Sequence, residues 1–456
     1  MLFRRRSSVV KTLPVFLLVS LISTALAQSP DQNTAILERL DRLEKQNREL
    51  LAEIRLLREQ VQKSGEAPSA DQSANQTNGA TDEHVEVNEH RIDELAQTKV
   101  EASQKFPIQL TGMALFNAFR NGRYGGNAQY PVVAGLNEGR SGGGGSFRQS
   151  IIGLRFQGPN TVLGGKLSGS LYLDLFGGSG GSLNQLVRLR IAKVQMDWAK
   201  TTLFFGQDKP LISQREPDSL AQVGVSPLTA AGNPWLWLPQ VRLEQRFPLT
   251  QKLTWKAEAA LLQTNEYSNV SVSAESLIES ARPAVEARVS AHYKWTKDRT
   301  AELGTGLHVS TSHFNGFSVP SRLFTVDWLI KPESWLELKG LFFRGRNFAS
   351  LGALGGFTQI GTNTPLAIGG SGGWAEVRFL PTQRLSLNIY GGQQDDQNRY
   401  LVTGRIGKNQ AYAANMTYLL APNVLGSFEA GRVRTTYLGI GNRVNNHYDL
   451  AIAYLF

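Results

Sequence analysis

The sequence predicts an all-β membrane protein: a 16-stranded antiparallel transmembrane β-barrel preceded by an α-helical coiled-coil segment. Three observations predict it. The hydrophobic period changes from 3.5 to 2 near Phe106 and stays at 2 to the carboxy terminus. Short connections alternate with long ones between the period-2 segments. The last ten residues, HYDLAIAYLF, form a strand with Tyr448, Leu450, Ile452, Tyr454 and Phe456 on one face and Asp449, Ala451, Ala453 and Leu455 on the other.

Composition narrows the class. The 456 residues are 41% hydrophobic, and beyond the amino terminus no apolar run approaches the ~18 residues of a spanning helix. With no cysteine, the chain has no thiolate metal site, disulfide, cysteine nucleophile or lipidated amino-terminal cysteine. The 45 glycines suit turns and close-packed strands.

Residues 1–27 read as a signal peptide. Arg4, Arg5, Arg6 and Lys11 precede an apolar stretch, and Ala25-Leu26-Ala27 offers a small-x-small cleavage site. Residues 28–63 form a periplasmic coiled coil. Ile36, Leu43, Leu50 and Leu57 take d positions, and Leu40, Asn47, Ile54 and Val61 take a positions, with Asn47 as the polar register setter. The core residues Leu40, Leu43, Asn47, Leu50, Ile54 and Leu57 support parallel association and do not separate dimer from trimer. Residues 64–105 are polar, small and aperiodic, and read as a linker; residues 106–456 are the barrel.

Sixteen period-2 segments follow Phe106. The eighth sets Val285, Ala287, Val289, Ala291, Tyr293 and Trp295 against Glu286, Arg288, Ser290, His292 and Lys294. Short links such as Pro248–Lys252, Thr296–Thr300 and Leu420–Asn423 alternate with long ones at 120–145, 177–185, 208–236, 264–282, 313–321, 346–371, 393–407 and 436–444. Turns at one end and loops at the other are expected of an outer-membrane barrel, with the turns periplasmic. A soluble sandwich has no reason for this alternation.

The signal, heptads, polar linker and barrel, together with the terminal HYDLAIAYLF, the SIIGLRFQGP strand at 150–159 and TLFFGQD at 202–208, resemble the trimeric general porins. They are most similar to DcaP-like porins with an amino-terminal periplasmic coiled coil. The resemblance implies a homotrimer in the outer membrane of a Gram-negative-type bacterium and passive uptake of small solutes. Partners are then outer-membrane lipid, lipopolysaccharide and small anionic or polar solutes, with no nucleic acid.

Candidate site residues lie on the polar face of the strands. Arg155, Lys166, Asp174, Arg242, Glu244, Arg246, Lys256, Glu258, Arg288 and Lys294 are expected to line the pore as a largely cationic wall. The barrel carries 34 basic and 22 acidic residues, a net charge of +12, and charge rings select ions by sign. By the same resemblance, the 208–236 loop folds into the lumen, and Glu216 and Asp218 face the wall cations across an eyelet. Arg188/Arg190, Arg344/Arg346 and Arg432/Arg434 share the parity of the lipid face near long loops. They suit lipopolysaccharide phosphates or a neighbouring subunit, unless a bulge turns them inward. No catalytic constellation, cofactor or metal set is expected: His308 and His313 lack a third ligand, and the Gly runs at 142–145, 178–181 and 369–373 read as external loops. An envelope tether anchored by the barrel, and a barrel enzyme, are the alternatives.

Overall fold

On most strands of the barrel one row of side chains is buried and the other bare, and the bared row is mainly apolar. On the last strand Leu450 is 54% and Ile452 51% exposed while Ala451 and Ala453 are buried. In water this arrangement is costly; against hydrocarbon it is the favoured one. The computed structural model describes residues 108–126, 128–178, 185–264, 283–314, 317–359 and 364–456. The expected signal peptide, coiled coil and linker lie outside the described residues.

Sixteen staves run up and down. They are β1 (Ile108–Asn121), β2 in two pieces (Gly142–Ser146 and Ile151–Asn160), β3 (Lys166–Gly177), β4 (Leu186–Asp197), β5 (Thr201–Asp208), β6 (Leu238–Pro248), β7 (Leu253–Leu262) and β8 (Ala284–Lys294). The second half comprises β9 (Thr300–Phe314), β10 (Phe317–Glu333), β11 (Leu336–Arg346), β12 (Gly369–Thr382), β13 (Leu385–Asp396), β14 (Ile406–Ala421), β15 (Val424–Tyr437) and β16 (Gly441–Leu455). Consecutive staves pair antiparallel, and β1 closes on β16 from Met113↔Leu455 to Asn121↔His447. Closure leaves no open sheet edge.

The structure corrects three sequence expectations. Gly142–Gly145, expected in an external loop, pairs with β1 from Asn117↔Ser146 to Asn121↔Gly142. Only glycine fits there, because a Cβ on Gly143 would sit 2.6 Å from the Phe119 carbonyl oxygen. The Gly369–Gly373 run likewise belongs to β12. Two connections expected to be long are short. β10 begins three residues after β9 ends, at Phe317 and Phe314, and only Leu438–Ile440 separates β15 from β16. Period-2 alternation weakens beyond the apolar belt, where both faces are wet, so sequence patterning stops before the ladder does.

Within β2 the ladder breaks at Phe147–Ser150, and Ser150 Oγ bridges the gap by donating to the Leu115 carbonyl (3.3 Å) and accepting from its N–H (2.9 Å). The break turns Gln149 to the inside, where it is buried.

Leu450 lies near mid-height on β16 with its side chain outward. Leu450→Arg is expected to destabilise the lipid-embedded barrel by about 2–4 kcal/mol. Equilibrium unfolding in guanidinium from lipid vesicles, followed by tryptophan fluorescence, reads the change.

Candidate pore constriction

The segment between β5 and β6, residues 209–237, lies inside the barrel. It starts with Pro210 and a 3₁₀ turn, Leu211–Ser213, whose residues are buried. The Leu211 N–H donates to Glu286 Oε2 of β8 (2.6 Å), and Gln214 Nε2 donates to Glu258 Oε1 of β7 (3.0 Å). Arg215 pairs with Asp327 of β10 and Glu302 of β9. Asp218 binds Lys339 of β11 (2.8 Å) and Arg378 of β12 (3.2 Å), while its N–H donates to Glu376 Oε2 (3.0 Å). Ser219 Oγ donates to Glu429 Oε2 of β15 (2.6 Å). Gln149 then closes the circuit, accepting from the N–H groups of Val223 (2.7 Å) and Gly224 (2.6 Å) and donating to the Ala221 carbonyl (2.8 Å).

The loop therefore follows the inner wall from β7 round to β2, satisfying its backbone polar groups on side chains of the wall. Its return leg presses on β12 and β13. Gly232 has φ +107°, and a Cβ there would lie 2.2 Å from the Gly373 carbonyl oxygen. A Cβ on Gly392 would lie 2.4 Å from the Ala231 carbonyl oxygen. Gly392 of β13 is thus explained by this close approach, whereas the β12 glycines meet strand backbone and neighbouring side chains.

The wall charges are mostly compensated. Arg288 is fully buried and bonds Glu258 (2.7 Å), Glu302 (2.7 Å) and Asp327 (2.8 Å). Lys256 pairs with Glu258 (3.0 Å). Arg242 stands 3.7 Å from Glu244, donates to the Lys209 carbonyl (2.6 Å) and lies over the Phe204 ring. Asp174 is held by Arg188 (2.6 Å) and Arg190 (3.0 Å). Arg246 donates to Thr202 Oγ1 (2.8 Å), and Arg155 to the Tyr172 hydroxyl. Lys166 and Lys294 are exposed on inward-parity positions at the short-turn end. Among the described residues, Arg155, Lys166, Arg246 and Lys294 of the ten wall residues have no carboxylate partner, whereas Asp174, Glu244 and Glu258 are all paired with cations.

One expectation needs correction, and one alternative left open is decided. Glu216 and Asp218 do not stand across a gap from the wall: Asp218 is in direct contact with it, and Glu216 pairs with Lys209 of its own loop (2.6 Å). Arg188 and Arg190 face inward. A register shift between Tyr172 and Leu173 rotates the start of β4, so both guanidiniums reach Asp174 and the loop carbonyls of Gly224 and Val223. By contrast Arg344, Arg346, Arg432 and Arg434 point outward and are exposed.

Sequence reasoning missed Lys209, Arg215, Gln149, Glu302, Asp327, Lys339, Glu376 and Glu429. Glu302 and Asp327 share the inward parity of β9 and β10, but nothing local joins them to Arg215, more than 80 residues earlier. Among the described residues no group of three or more His, Asp or Glu is arranged to hold a metal ion.

Two solved structures share this architecture. The outer membrane channel DcaP of Acinetobacter baumannii aligns with TM-score 0.64 at 15% identity, covering 76% of this chain and 97% of that one. An anion-selective porin from Comamonas acidovorans aligns with TM-score 0.52 at 12% identity, covering 77% of this chain and 100% of that one. No protein-family model and no curated protein matches the sequence. The chain has the closed 16-stranded barrel fold of these channels.

Arg288→Met removes the cation among three carboxylates and is expected to cost about 3–5 kcal/mol of folding stability, read as a lowered unfolding midpoint in detergent. Glu216 titrates with the loop. Burial pushes its carboxyl up, but Lys209, Ser226 and Arg190 outweigh this and hold it below the ordinary 4.5. Its contribution is therefore present above pH 4.5 and is lost as pH falls through the lower folded value. Single-channel recordings are expected to show acid-induced noise below that pH, and Glu216→Gln is expected to show the same noise at neutral pH.

Proposed function

We propose that the protein is an outer-membrane porin, a water-filled channel for passive diffusion of small hydrophilic solutes that favours anions. Barrels of about 16–18 strands enclose an aqueous channel. The observation that carries the reading is a closed barrel whose inner wall is narrowed by one internal loop, with positive charge left over. Arg155, Lys166, Arg246 and Lys294 have no carboxylate partner among the described residues, and three of them are exposed; of the inward carboxylates without a basic partner, Asp396, Glu429 and Asp449 are buried and Asp197 is half-buried among Gln195 and Thr202. In a low-dielectric tube, uncompensated wall charge sets the potential that a permeating ion meets.

The finer features of the proposal follow from the sequence. The signal peptide directs export, residues 28–63 form a periplasmic coiled coil, and the assembly is a homotrimer whose outward belt meets outer-membrane lipid and lipopolysaccharide. Small anionic or polar solutes are the cargo, and the barrel has no enzymatic role.

Reversal potential in a planar bilayer under a potassium chloride gradient tests the reading. Three equal conductance steps with chloride preference are expected, and Arg155→Gln with Arg246→Gln is expected to reduce that preference severalfold. A cation preference would overturn the wall-charge argument, and absence of conductance from folded protein would overturn the channel.

A further inference from the structure

The outward arginines of β10 and β11 point away from the lumen. Arg322, Arg344 and Arg346 are exposed on the outer face of the barrel, and Arg322 is the direct cross-strand partner of Arg346. Arg399, in the 3₁₀ turn Asn398–Tyr400, joins them along one groove of about 450 Å³ that also includes Tyr400 and Gln397. None of the four arginines has a carboxylate partner among the described residues. Three guanidiniums on two adjacent strands repel one another, so an unoccupied groove is electrostatically unfavourable.

Their height is informative. Arg344 and Arg346 are the eighth and tenth residues after Leu336. At about 3.3 Å per residue and a tilt near 40°, that places them about 20–25 Å above the short-turn end, at the upper limit of a hydrocarbon band about 25 Å tall. Directly beside and below them the outward face is apolar: Phe324 pairs with Arg344, Val309 with Arg322, and Phe342 precedes Arg344 on the same face. The groove therefore has an acyl-chain surface below and a cluster of planar cations above.

We infer that this groove binds the phosphate-bearing headgroup of an outer-leaflet lipid, with its acyl chains lying on Phe324, Phe342 and Val309. Guanidinium forks match phosphate oxygens in bidentate pairs, and several converging forks favour a headgroup carrying more than one phosphate. Charge complementarity decides against a second copy of this chain as occupant. In the long-loop half, the outward strand faces among the described residues carry one carboxylate, Asp395, and Lys408 already holds it at 3.1 Å. A second barrel would bring no counter-charge to the groove, whereas a phosphorylated lipid brings both charge and chains. The inference rests on the outer-membrane placement proposed above and not on conduction.

Full-length protein in detergent is titrated with diphosphoryl lipid A and, separately, with the dephosphorylated lipid of the same acyl chains, and binding is read by native mass spectrometry. The phosphorylated lipid is expected to bind at least tenfold more tightly, and the preference is expected to vanish in the combined Arg322→Gln, Arg344→Gln and Arg346→Gln variant. Arg344→Lys, which keeps the charge and loses the fork, is expected to weaken binding three- to tenfold. Equal binding of the two lipids, or an unchanged preference in the triple variant, overturns the inference. So does full displacement by millimolar inorganic phosphate, which marks a free-phosphate site, or dissociation of the triple variant into single barrels, which marks a subunit contact. The unsubstituted protein in a planar bilayer separates the two readings. Normal conductance without lipid preference refutes only the lipid site, and lipid preference without conductance refutes only the channel.

Discussion

Closure of the sheet between β1 and β16 is the constraint on which everything else depends. At membrane depth no water is present to satisfy an unpaired N–H or C=O, and each such group costs several kcal/mol. The terminal residue takes part directly: the Gly112 N–H donates to the Phe456 carbonyl (2.8 Å), and the Phe456 N–H donates to that of Gly112 (3.2 Å). A Cβ on Gly112 would lie 2.5 Å from the Ile151 carbonyl oxygen and against the Phe456 ring, so the aromatic terminus is seated on the glycine that begins the closing pair. The alternation of apolar and polar residues along every stave follows from closure, because it divides the surface into a lipid side and a water side.

A closed polar interior creates the second requirement. A loop crossing it must satisfy its own backbone without the regular ladder, and residues 209–237 do so on side chains that the wall supplies. Arg215 and Asp218 are opposite charges three residues apart, and each finds the opposite sign on the wall: acids on β9 and β10 for Arg215, cations on β11 and β12 for Asp218. Moving the loop would strand four or more charges in a region of reduced dielectric. The compensation also shapes the electrostatics of the lumen. Charges used to latch the loop no longer act at long range; the unpaired cations of the wall lie on β2, β3, β6 and β8, and the buried carboxylates Glu429 and Asp449 lie on β15 and β16.

The outer surface obeys a different rule. It is apolar where the staves cross hydrocarbon and becomes cationic at the long-loop end of β10, β11 and β15. Arginine pairs of identical spacing have opposite fates: Arg188 and Arg190 are turned inward by a one-residue shift in register, while Arg344 and Arg346 keep the outward face. One slipped residue is enough, because side-chain direction in a strand has period two.

These differences show what was legible in the sequence. The class, the number of staves and the inward or outward direction of residues such as Arg288, Glu258 and Lys256 follow from local chemistry, since strand alternation, turn composition and the terminal aromatic strand are each written within a dozen residues. The chain's lipid-facing half was set by that pattern alone. What only the tertiary structure decided is which inward charges are free and which are already paired. That depends on contacts between residues more than a hundred positions apart, such as Arg215 with Asp327 and Asp218 with Lys339, and on a bulge in β4 and a break in β2 that leave no mark in the hydrophobic period. Pairing is a property of distance in the folded barrel, and a sequence pattern carries direction but not distance.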